Sequence, residues 1–205
     1  MRRCLGVILL VVALAMGPAH AAAPRTILVL GDSLSAAHNI PIEKGWVSLL
    51  QARYSDMVPG WSLVNASISG ETSLSGRNRL PSLLAKYQPA VVVIELGAND
   101  GLRGLPLEPL KANLAAMAQA SRQAGAKVLL LGIELPVNYG PQYRDGLRAA
   151  YKGLADTQHL ALVPFLLDGV ATRPELMQDD GLHPTAEGEP RVADNVDAAL
   201  RPLLR

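Results

Sequence analysis

The sequence predicts an α/β fold in which a parallel β-sheet carries helices on both faces. Along the chain, short apolar runs bounded by Gly, Pro, Asn or Asp alternate with longer segments of helical spacing. The run Val91–Ile94 is apolar at every position, which is typical of a strand buried on both faces of a parallel sheet. The alternation of strand and helix favours this layered architecture.

Five short segments are predicted to form the strands. Each is apolar, rich in β-branched or aliphatic residues, and bounded by turn-forming residues. Pro89 stops the preceding helix just before the third strand. The predicted strands, in chain order, are Thr26–Leu30, Leu63–Ala66, Ala90–Leu96, Lys127–Ile133 and Leu160–Pro164.

Five longer segments with helical spacing of apolar residues are predicted to form helices. Gly125 lies directly after the third of them, where a C-terminal cap is expected. Pro81 lies inside the second, so that this helix is expected to start there or to be kinked. The predicted helices are Gly45–Tyr54, Ser73–Tyr87, Leu107–Ala124, Tyr143–Gln158 and Arg191–Leu203.

The N-terminus has the pattern of a secretory signal peptide, residues 1–21. Arg2 and Arg3 precede the apolar stretch Leu5–Met16, and a small-x-small cleavage motif follows. We expect cleavage after Ala21, with the next two residues as alternatives, and export, most simply to the periplasm. The alternative is an uncleaved membrane anchor, although the stretch is short for a membrane-spanning helix. Residues 22–205 are long enough for a single domain with a sizeable core.

Composition argues against several kinds of partner. The only cysteine, Cys4, lies in the predicted signal peptide, so that the mature chain has no thiol and no disulfide. The formal charge is +1, and removal of Arg2 and Arg3 changes it to −1, with 17 basic against 18 acidic residues. This balance gives no electrostatic reason to expect nucleic acid or an anionic membrane as a partner. No phosphate-binding glycine motif follows the first strand.

A candidate nucleophile, Ser33, lies on the turn that leaves the first predicted strand. Ligands of open parallel sheets bind outside the carboxyl ends of the strands, so that this serine is well placed to react. No G-x-S-x-G sequence surrounds any serine, which argues against the nucleophile elbow of α/β-hydrolases. Acyl transfer by a serine also needs a base, a group that orients the base, and donors for the oxyanion.

The base can be sought among the three histidines that follow the signal peptide. His38 comes too soon after the serine turn to reach back easily, and it lacks an obvious carboxylate partner. His159 ends a predicted helix, where a partly exposed cation is favoured. His183 lies in a loop with Asp180 three residues before it, an arrangement in which the carboxylate could hold one ring nitrogen while the other faces Ser33. A helix-capping turn explains this loop equally well.

Two candidate oxyanion donors follow the second and third predicted strands. Gly70 and Asn99 are both expected at the carboxyl edge of the sheet, the same edge as Ser33. The N–H groups of Ser33 and Gly70, with the side-chain amide of Asn99, would form a three-donor oxyanion hole. A turn glycine and a helix cap are the alternatives, and each is more common when judged in isolation. The convergence of four segments on one edge favours the oxyanion hole.

Acidic residues near this edge do not predict a metal site. Glu71, Asp100 and Asp179 are accompanied by no cluster of histidines and by no recognisable ligand loop. Serine-based acyl transfer requires neither a metal nor an organic cofactor. We therefore expect no metal and no cofactor.

These segments resemble the four sequence blocks of the SGNH, or GDSL, hydrolase family. The resemblance implies a flavodoxin-like three-layer α/β/α sandwich with five parallel strands in the order 2-1-3-4-5. It implies Ser33, Asp180 and His183 as catalytic residues, and hydrolysis of esters and thioesters of acyl chains through an acyl-enzyme. Ala98 stands where relatives often have glycine, which is a conservative change. The four blocks are Gly31–Ser35, Ser69–Thr72, Gly97–Asp100 and Asp180–Pro184.

The resemblance also implies where an acyl chain would bind. The mobile loop that follows the asparagine in the family corresponds to residues 101–106, and its Leu102 and Leu105 would help to line an acyl groove. The segment from Leu135 to Tyr139 would form another wall.

The sequence therefore predicts an exported, monomeric serine esterase that acts on small acyl esters or thioesters, with lysophospholipids among the candidates and no stable membrane anchor. A short-chain carbohydrate O-acetylesterase is one alternative, which a shallow polar pocket would favour. A non-catalytic lipid-binding protein is a second, although binding alone needs neither a base nor an oxyanion hole. A flavodoxin-like cofactor binder is a third, disfavoured because the loop after the first strand lacks a hydroxyl-rich phosphate cradle.

Overall fold

A five-stranded parallel sheet organises the protein, whose computed structural model describes residues 25–205. The strand order is β2-β1-β3-β4-β5, so that the implied order 2-1-3-4-5 is confirmed. The predicted signal peptide, residues 1–21, lies outside the described residues. The strands are β1 (Arg25–Gly31), β2 (Trp61–Asn65), β3 (Val91–Glu95), β4 (Lys127–Leu131) and β5 (Ala161–Val163).

Helices pack on the sheet in two groups. One group consists of α1 and α6, which contact each other and also β2, β4 and β5; the other consists of α2, α4 and α5, which pack in sequence. The result is the expected three-layer α/β/α sandwich. In the described part of the chain, no helix is both long and apolar enough to span a bilayer. The helices are α1 (Trp46–Met57), α2 (Ser73–Tyr87), α3 (Ala98–Leu102), α4 (Leu107–Gln123), α5 (Pro141–Gln158) and α6 (Glu189–Leu200).

Strand β3 shows why the apolar runs predict the sheet well. All five of its residues are buried, as expected for a strand covered by helices on both faces. The core extends from it through the apolar faces of the helices, with Trp46, Tyr54 and Tyr151 among the largest fully buried side chains. Burial of such side chains stabilises the fold by roughly 2–3 kcal/mol each.

Helix α2 has the predicted bounds, Ser73–Tyr87, and only the alternative start at Pro81 is excluded. Helix α2 starts at Ser73 rather than at Pro81, because the Thr72 side chain accepts a hydrogen bond from the Ser75 N–H and caps the helix. The proline then lies inside the helix. The short helix α3 was not predicted at all, since five residues carry too little periodicity to be recognised.

The register of the sheet aligns the ends of the three central strands. Gly31 of β1 pairs with Glu95 of β3, and Val29 of β1 pairs with Asn65 of β2. The loops that leave β1, β2 and β3 therefore begin side by side at the carboxyl edge. This alignment brings the sequence blocks that contain Ser33, Gly70 and Asn99 to the same edge of the sheet.

Candidate active site

The turn that carries Ser33 is fixed by hydrogen bonds to buried groups. The Asp32 N–H donates to Glu95 Oε2 (3.1 Å), and Asp32 Oδ1 accepts from the Leu34 N–H (3.1 Å). Gly31 leaves room for this contact, because a Cβ there would lie 2.7 Å from Glu95 Oε2. Ser33 itself is half-buried and faces the pocket described below. The side chain is thus presented from a rigid turn rather than from a free loop.

A chain of two hydrogen bonds joins Ser33 to the C-terminal loop. His183 Nε2 lies 2.8 Å from Ser33 Oγ, and His183 Nδ1 lies 2.7 Å from Asp180 Oδ2. This is the grouping that the family resemblance implies, whereas the three-residue spacing of Asp180 and His183 alone is equally compatible with a helix-capping turn. Within the described residues, neither the His38 ring nor the His159 ring makes a hydrogen bond to the Ser33 hydroxyl.

The Asp180–His183 loop holds the carboxylate in place through its own backbone. Asp180 Oδ1 accepts hydrogen bonds from the N–H groups of Leu182 (2.8 Å) and His183 (3.0 Å), and Gly181 adopts a positive φ of 65° that lets the loop turn. Partial burial raises the pKa of Asp180, but these hydrogen bonds and the His183 side chain outweigh it and lower the pKa to about 2. The carboxylate is therefore ionised throughout the neutral range and can stabilise an imidazolium on His183.

The predicted oxyanion donors lie around the same edge. Asn99 is the second residue of α3, and its Nδ2 lies 3.0 Å from both Asp32 Oδ2 and the Glu71 carbonyl oxygen. Gly70 has a positive φ of 81° and directly precedes Glu71. Within the described part of the chain, the Ser33 and Gly70 N–H groups have no hydrogen-bond acceptor. Two backbone donors are thus available, whereas both hydrogens of the Asn99 amide are occupied.

Buried acids lie directly behind the Ser33 turn. Asp32 and Glu95 are both fully buried, and the Ser35 hydroxyl donates to Glu95 Oε2 (2.8 Å). Burial raises the pKa of Asp32 to about 6, although hydrogen bonds from Leu34 and Asn99 lower it. Burial, followed by the charge of Asp32, raises the pKa of Glu95 well above its usual range. The sequence did not predict a role for Glu95, because its partners Asp32 and Ser35 lie about 60 residues earlier in the chain.

An apolar pocket opens beside Ser33. Of the four residues expected to bind the acyl chain, Leu102 and Leu135 line it. Leu105 and Tyr139 do not; the Tyr139 hydroxyl instead donates to the Leu102 carbonyl (3.0 Å) and supports the pocket wall from outside. Pro136, which belongs to the segment expected to form a wall, also lines the pocket. Residues that the sequence did not predict make up much of the remaining wall, namely Leu34, Ile133, Phe165, Leu167 and Leu182.

His38 lies against His183, a contact that the sequence did not predict. The two rings are 4.3 Å apart between centroids and tilted by 38°. The turn reaches back because Ala37 and Asn39 both have a positive φ of 56°. The potential metal-ligand atoms of His38, Asp180 and His183 all lie within 4.8 Å of one another. Both ring nitrogens of His183 already have partners, so that a metal ion here would compete with the contacts to Ser33 and Asp180.

Two of the three acids considered as metal ligands, Glu71 and Asp100, have other partners. Glu71 forms an ion pair with Arg79. Asp100 accepts hydrogen bonds from the backbone N–H (2.8 Å) and the hydroxyl (2.6 Å) of Ser73, and so ties α3 to the start of α2. Both carboxylates are thus part of the scaffold around the site.

The chain matches the model of the GDSL-like lipase/acylhydrolase family over residues 29–190. This match covers most of the chain and includes the segments that contain Ser33, Gly70, Asn99 and His183. The chain therefore belongs to the GDSL-like lipase/acylhydrolase family. As a member of this family it is a hydrolase.

Similar proteins are esterases. Esterase TesA of Pseudomonas aeruginosa is 53% identical over 183 residues, which are 89% of this chain and 91% of that protein. The arylesterase of Vibrio mimicus is 46% identical over 178 residues, or 87% of this chain and 89% of that one. Thioesterase 1/protease 1/lysophospholipase L1 of Escherichia coli is 42% identical over 185 residues, or 90% and 88% of the two chains.

The fold of the solved relatives agrees with these similarities. The crystal structure of TesA superimposes with a TM-score of 0.85 at 52% identity, covering 87% of this chain and 99% of that one. Esterase EstA from a Pseudoalteromonas species gives 0.83 at 41% identity, covering 88% and 98%. The chain is thus an ester hydrolase that acts on small-molecule esters.

Proposed function

We propose that hydrolysis proceeds through an acyl-enzyme on Ser33, with His183 as base and Asp180 as the group that orients it. The observation that carries this proposal is the pair of hydrogen bonds from Ser33 through His183 to Asp180 at the mouth of an apolar pocket. His183 removes the proton of the Ser33 hydroxyl as Oγ attacks the acyl carbonyl. The ionised Asp180 stabilises the imidazolium that results.

The second half of the cycle uses the same groups in reverse. His183 gives its proton to the departing alcohol or thiol, which leaves the acyl group on Ser33. Water then attacks the acyl carbonyl with His183 again as base, and His183 returns the proton to Ser33 Oγ as the Oγ–acyl bond breaks and the carboxylic acid leaves. The N–H groups of Ser33 and Gly70, with the Asn99 amide, stabilise the oxyanion in both steps, and one such donor contributes about 3 kcal/mol.

The pocket favours acyl chains over sugar-linked acetate. Its wall is mostly aliphatic, with Phe165 as the one aromatic residue, so that a chain of several methylenes gains about 0.8 kcal/mol for each one buried. A neighbouring opening shares Leu135, Phe165 and Leu182 with the pocket and continues to Val137 and Met177. Medium-chain esters and thioesters, including lysophospholipids, are the substrates that this surface fits.

The test is a series of p-nitrophenyl esters from acetyl to palmitoyl, with Ser33→Ala beside the wild type. Activity that peaks at medium or long chains and disappears in Ser33→Ala is the expected result. Ser82→Ala, which changes an exposed hydroxyl on α2, serves as the matched control. Activity confined to the acetyl ester would point to an O-acetylesterase. Lipid binding without turnover that depends on Ser33 would point to a binding protein.

We also infer that the mature protein is exported and acts as a monomer. Export rests on the basic, apolar and small-residue pattern of residues 1–21. Monomeric activity rests on the fact that Ser33, Asp180, His183 and the pocket all come from one chain. N-terminal sequencing of the periplasmic protein and its mass in solution test the two inferences separately.

A further inference from the structure

Two buried carboxyl groups face each other behind the candidate nucleophile. Asp32 and Glu95 are both 0% exposed, and they meet because the register pairs Gly31 with Glu95. Glu95 Oε2 accepts hydrogen bonds from the Asp32 N–H (3.1 Å) and the Ser35 hydroxyl (2.8 Å). Two neighbouring carboxyl groups that are both shielded from water cannot both be ionised at neutral pH. The pair therefore holds one proton.

The contacts of the two side chains decide where that proton resides. Glu95 Oε1 is buried and has no hydrogen-bond partner among residues 25–205, so that a negative charge there would be uncompensated. Both oxygens of Asp32, in contrast, receive hydrogen bonds, one from the Leu34 N–H and one from Asn99 Nδ2. The charge therefore resides on Asp32 and the proton on Glu95.

The Asn99 amide has two hydrogens and, in the resting enzyme, two acceptors. Its Nδ2 lies 3.0 Å from Asp32 Oδ2 and 3.0 Å from the Glu71 carbonyl oxygen. To donate to an oxyanion, the amide must release one of these acceptors. A hydrogen bond to a carboxylate is roughly twice as strong as one to a neutral carbonyl. The contact that is released is therefore the one to the carbonyl of Glu71.

We propose that Glu95 is a positioning residue for the oxyanion donor Asn99 and acts through Asp32. By keeping the proton of the pair, Glu95 leaves Asp32 as the charged acceptor that anchors one amide hydrogen. The other hydrogen turns from the Glu71 carbonyl to the oxyanion as it forms. This inference rests on the proposed role of Asn99 in hydrolysis by Ser33.

The first test compares two substitutions of Glu95. Glu95→Leu removes the side chain that accepts hydrogen bonds from the Asp32 N–H and the Ser35 hydroxyl. It is expected to lower kcat by about 10- to 100-fold with little change in KM, because the hydrogen bond from Asn99 to the oxyanion exists only in the transition state. Glu95→Gln retains an oxygen that accepts and an NH₂ that donates, and is expected to recover most of the lost kcat. Leu130→Ala, in the buried core of β4, is the matched control for a weakened sheet.

The second test measures the proton directly. A difference infrared spectrum between wild type and Glu95→Gln at neutral pH is expected to show the carbonyl band of a protonated carboxylic acid that only the wild type has. The other titratable groups that face the pair are the Tyr151 hydroxyl from α5 and the His183 imidazole from the C-terminal loop. Neither produces such a band.

Several results would overturn the inference. One is the absence of the infrared band. In the kinetic test, the inference fails if Glu95→Leu keeps the kcat of the wild type or if Glu95→Gln has a kcat as low as that of Glu95→Leu. It also fails if Leu130→Ala, at the same loss of thermal stability, loses as much kcat as Glu95→Leu. Ser33→Ala separates this inference from the proposed function. If Ser33→Ala keeps esterase activity, the proposed function itself fails, whereas an inactive Ser33→Ala leaves the Glu95 variants to decide the role of the acid pair alone.

Discussion

Replacing Glu189 with glutamine should stabilise the fold at neutral and alkaline pH while changing little in acid. Glu189 is 2% exposed and begins α6, and its Oε2 accepts a hydrogen bond from the Trp46 N–H (2.7 Å) at the start of α1. Burial raises the pKa of Glu189 from 4.5 to about 7, although the bond from Trp46 lowers it. A glutamine oxygen can accept the same hydrogen bond without titrating.

The magnitude follows from the pKa of this one group. An acid whose pKa is higher in the folded than in the unfolded state makes the free energy of unfolding fall as pH rises between the two values. A rise from 4.5 to about 7 corresponds to about 3 kcal/mol. The N-termini of α1 and α6 both favour a carboxylate, each by about 0.3–1 kcal/mol, and so reduce the expected effect to about 2 kcal/mol.

Urea denaturation of wild type and Glu189→Gln at pH 5, 6, 7 and 8 measures the effect. The stability of the variant relative to wild type should grow by about 1 kcal/mol between the ends of this range, because part of the total effect has already developed at pH 5. Glu187→Gln, two residues earlier and exposed, is the control and should show no such trend. A difference that does not change with pH, or one that favours the wild type as pH rises, would mean that Glu189 is an ionised helix cap and that the reasoning is wrong.

Three further predictions concern the active site. Asp180→Asn should lower kcat by about 10³- to 10⁴-fold while the fold is retained, and a loss below tenfold in steady-state assays would contradict the role of Asp180. Phe165→Ala should lower kcat/KM for octanoyl relative to acetyl esters by about tenfold, the equivalent of about 1.4 kcal/mol of lost apolar contact, and equal losses for both esters would show that the chain binds elsewhere. Zn²⁺ should inhibit the enzyme by binding His183 together with His38, and a chelator should reverse this inhibition. His38→Phe should weaken the inhibition in dose–response assays. Unchanged inhibition in His38→Phe would exclude His38 as a ligand.

The sequence could predict the parts of the site that local motifs determine. Ser33, Gly70 and Asn99 follow strand ends, and the positions of strand ends can be inferred from apolar runs and turn residues. Asp180 and His183 are close in sequence, so that their contact follows from a single loop. Only the meeting of Ser33 with His183, 150 residues later, depends on how distant elements pack, and the family resemblance implied that contact.

The features that the sequence did not predict depend on packing between distant elements. Glu95 contacts Asp32, which lies 63 residues earlier in the chain, because the register of β1 and β3 brings the two residues together. No local sequence pattern predicts a contact over so large a sequence separation. His38 reaches His183 only through two residues with positive φ, which are neither glycine nor predictable from composition. Tyr139 faces away from the pocket because its hydroxyl binds the Leu102 carbonyl, a contact between two loops.

The site divides into parts with different sensitivity to change. Ser33 and Asn99 are held by buried acids at the ends of β1 and β3, where almost any substitution disturbs charge or packing. The pocket wall, in contrast, comes largely from the loops after β4 and β5, through residues such as Leu135 and Phe165. Because loops tolerate substitution better than buried strands, chain-length preference can change at these loop positions without disturbing the reacting groups. Substitutions in the pocket wall should therefore change KM and the preferred chain length. Substitutions of the reacting groups and of the buried acids behind them should change kcat.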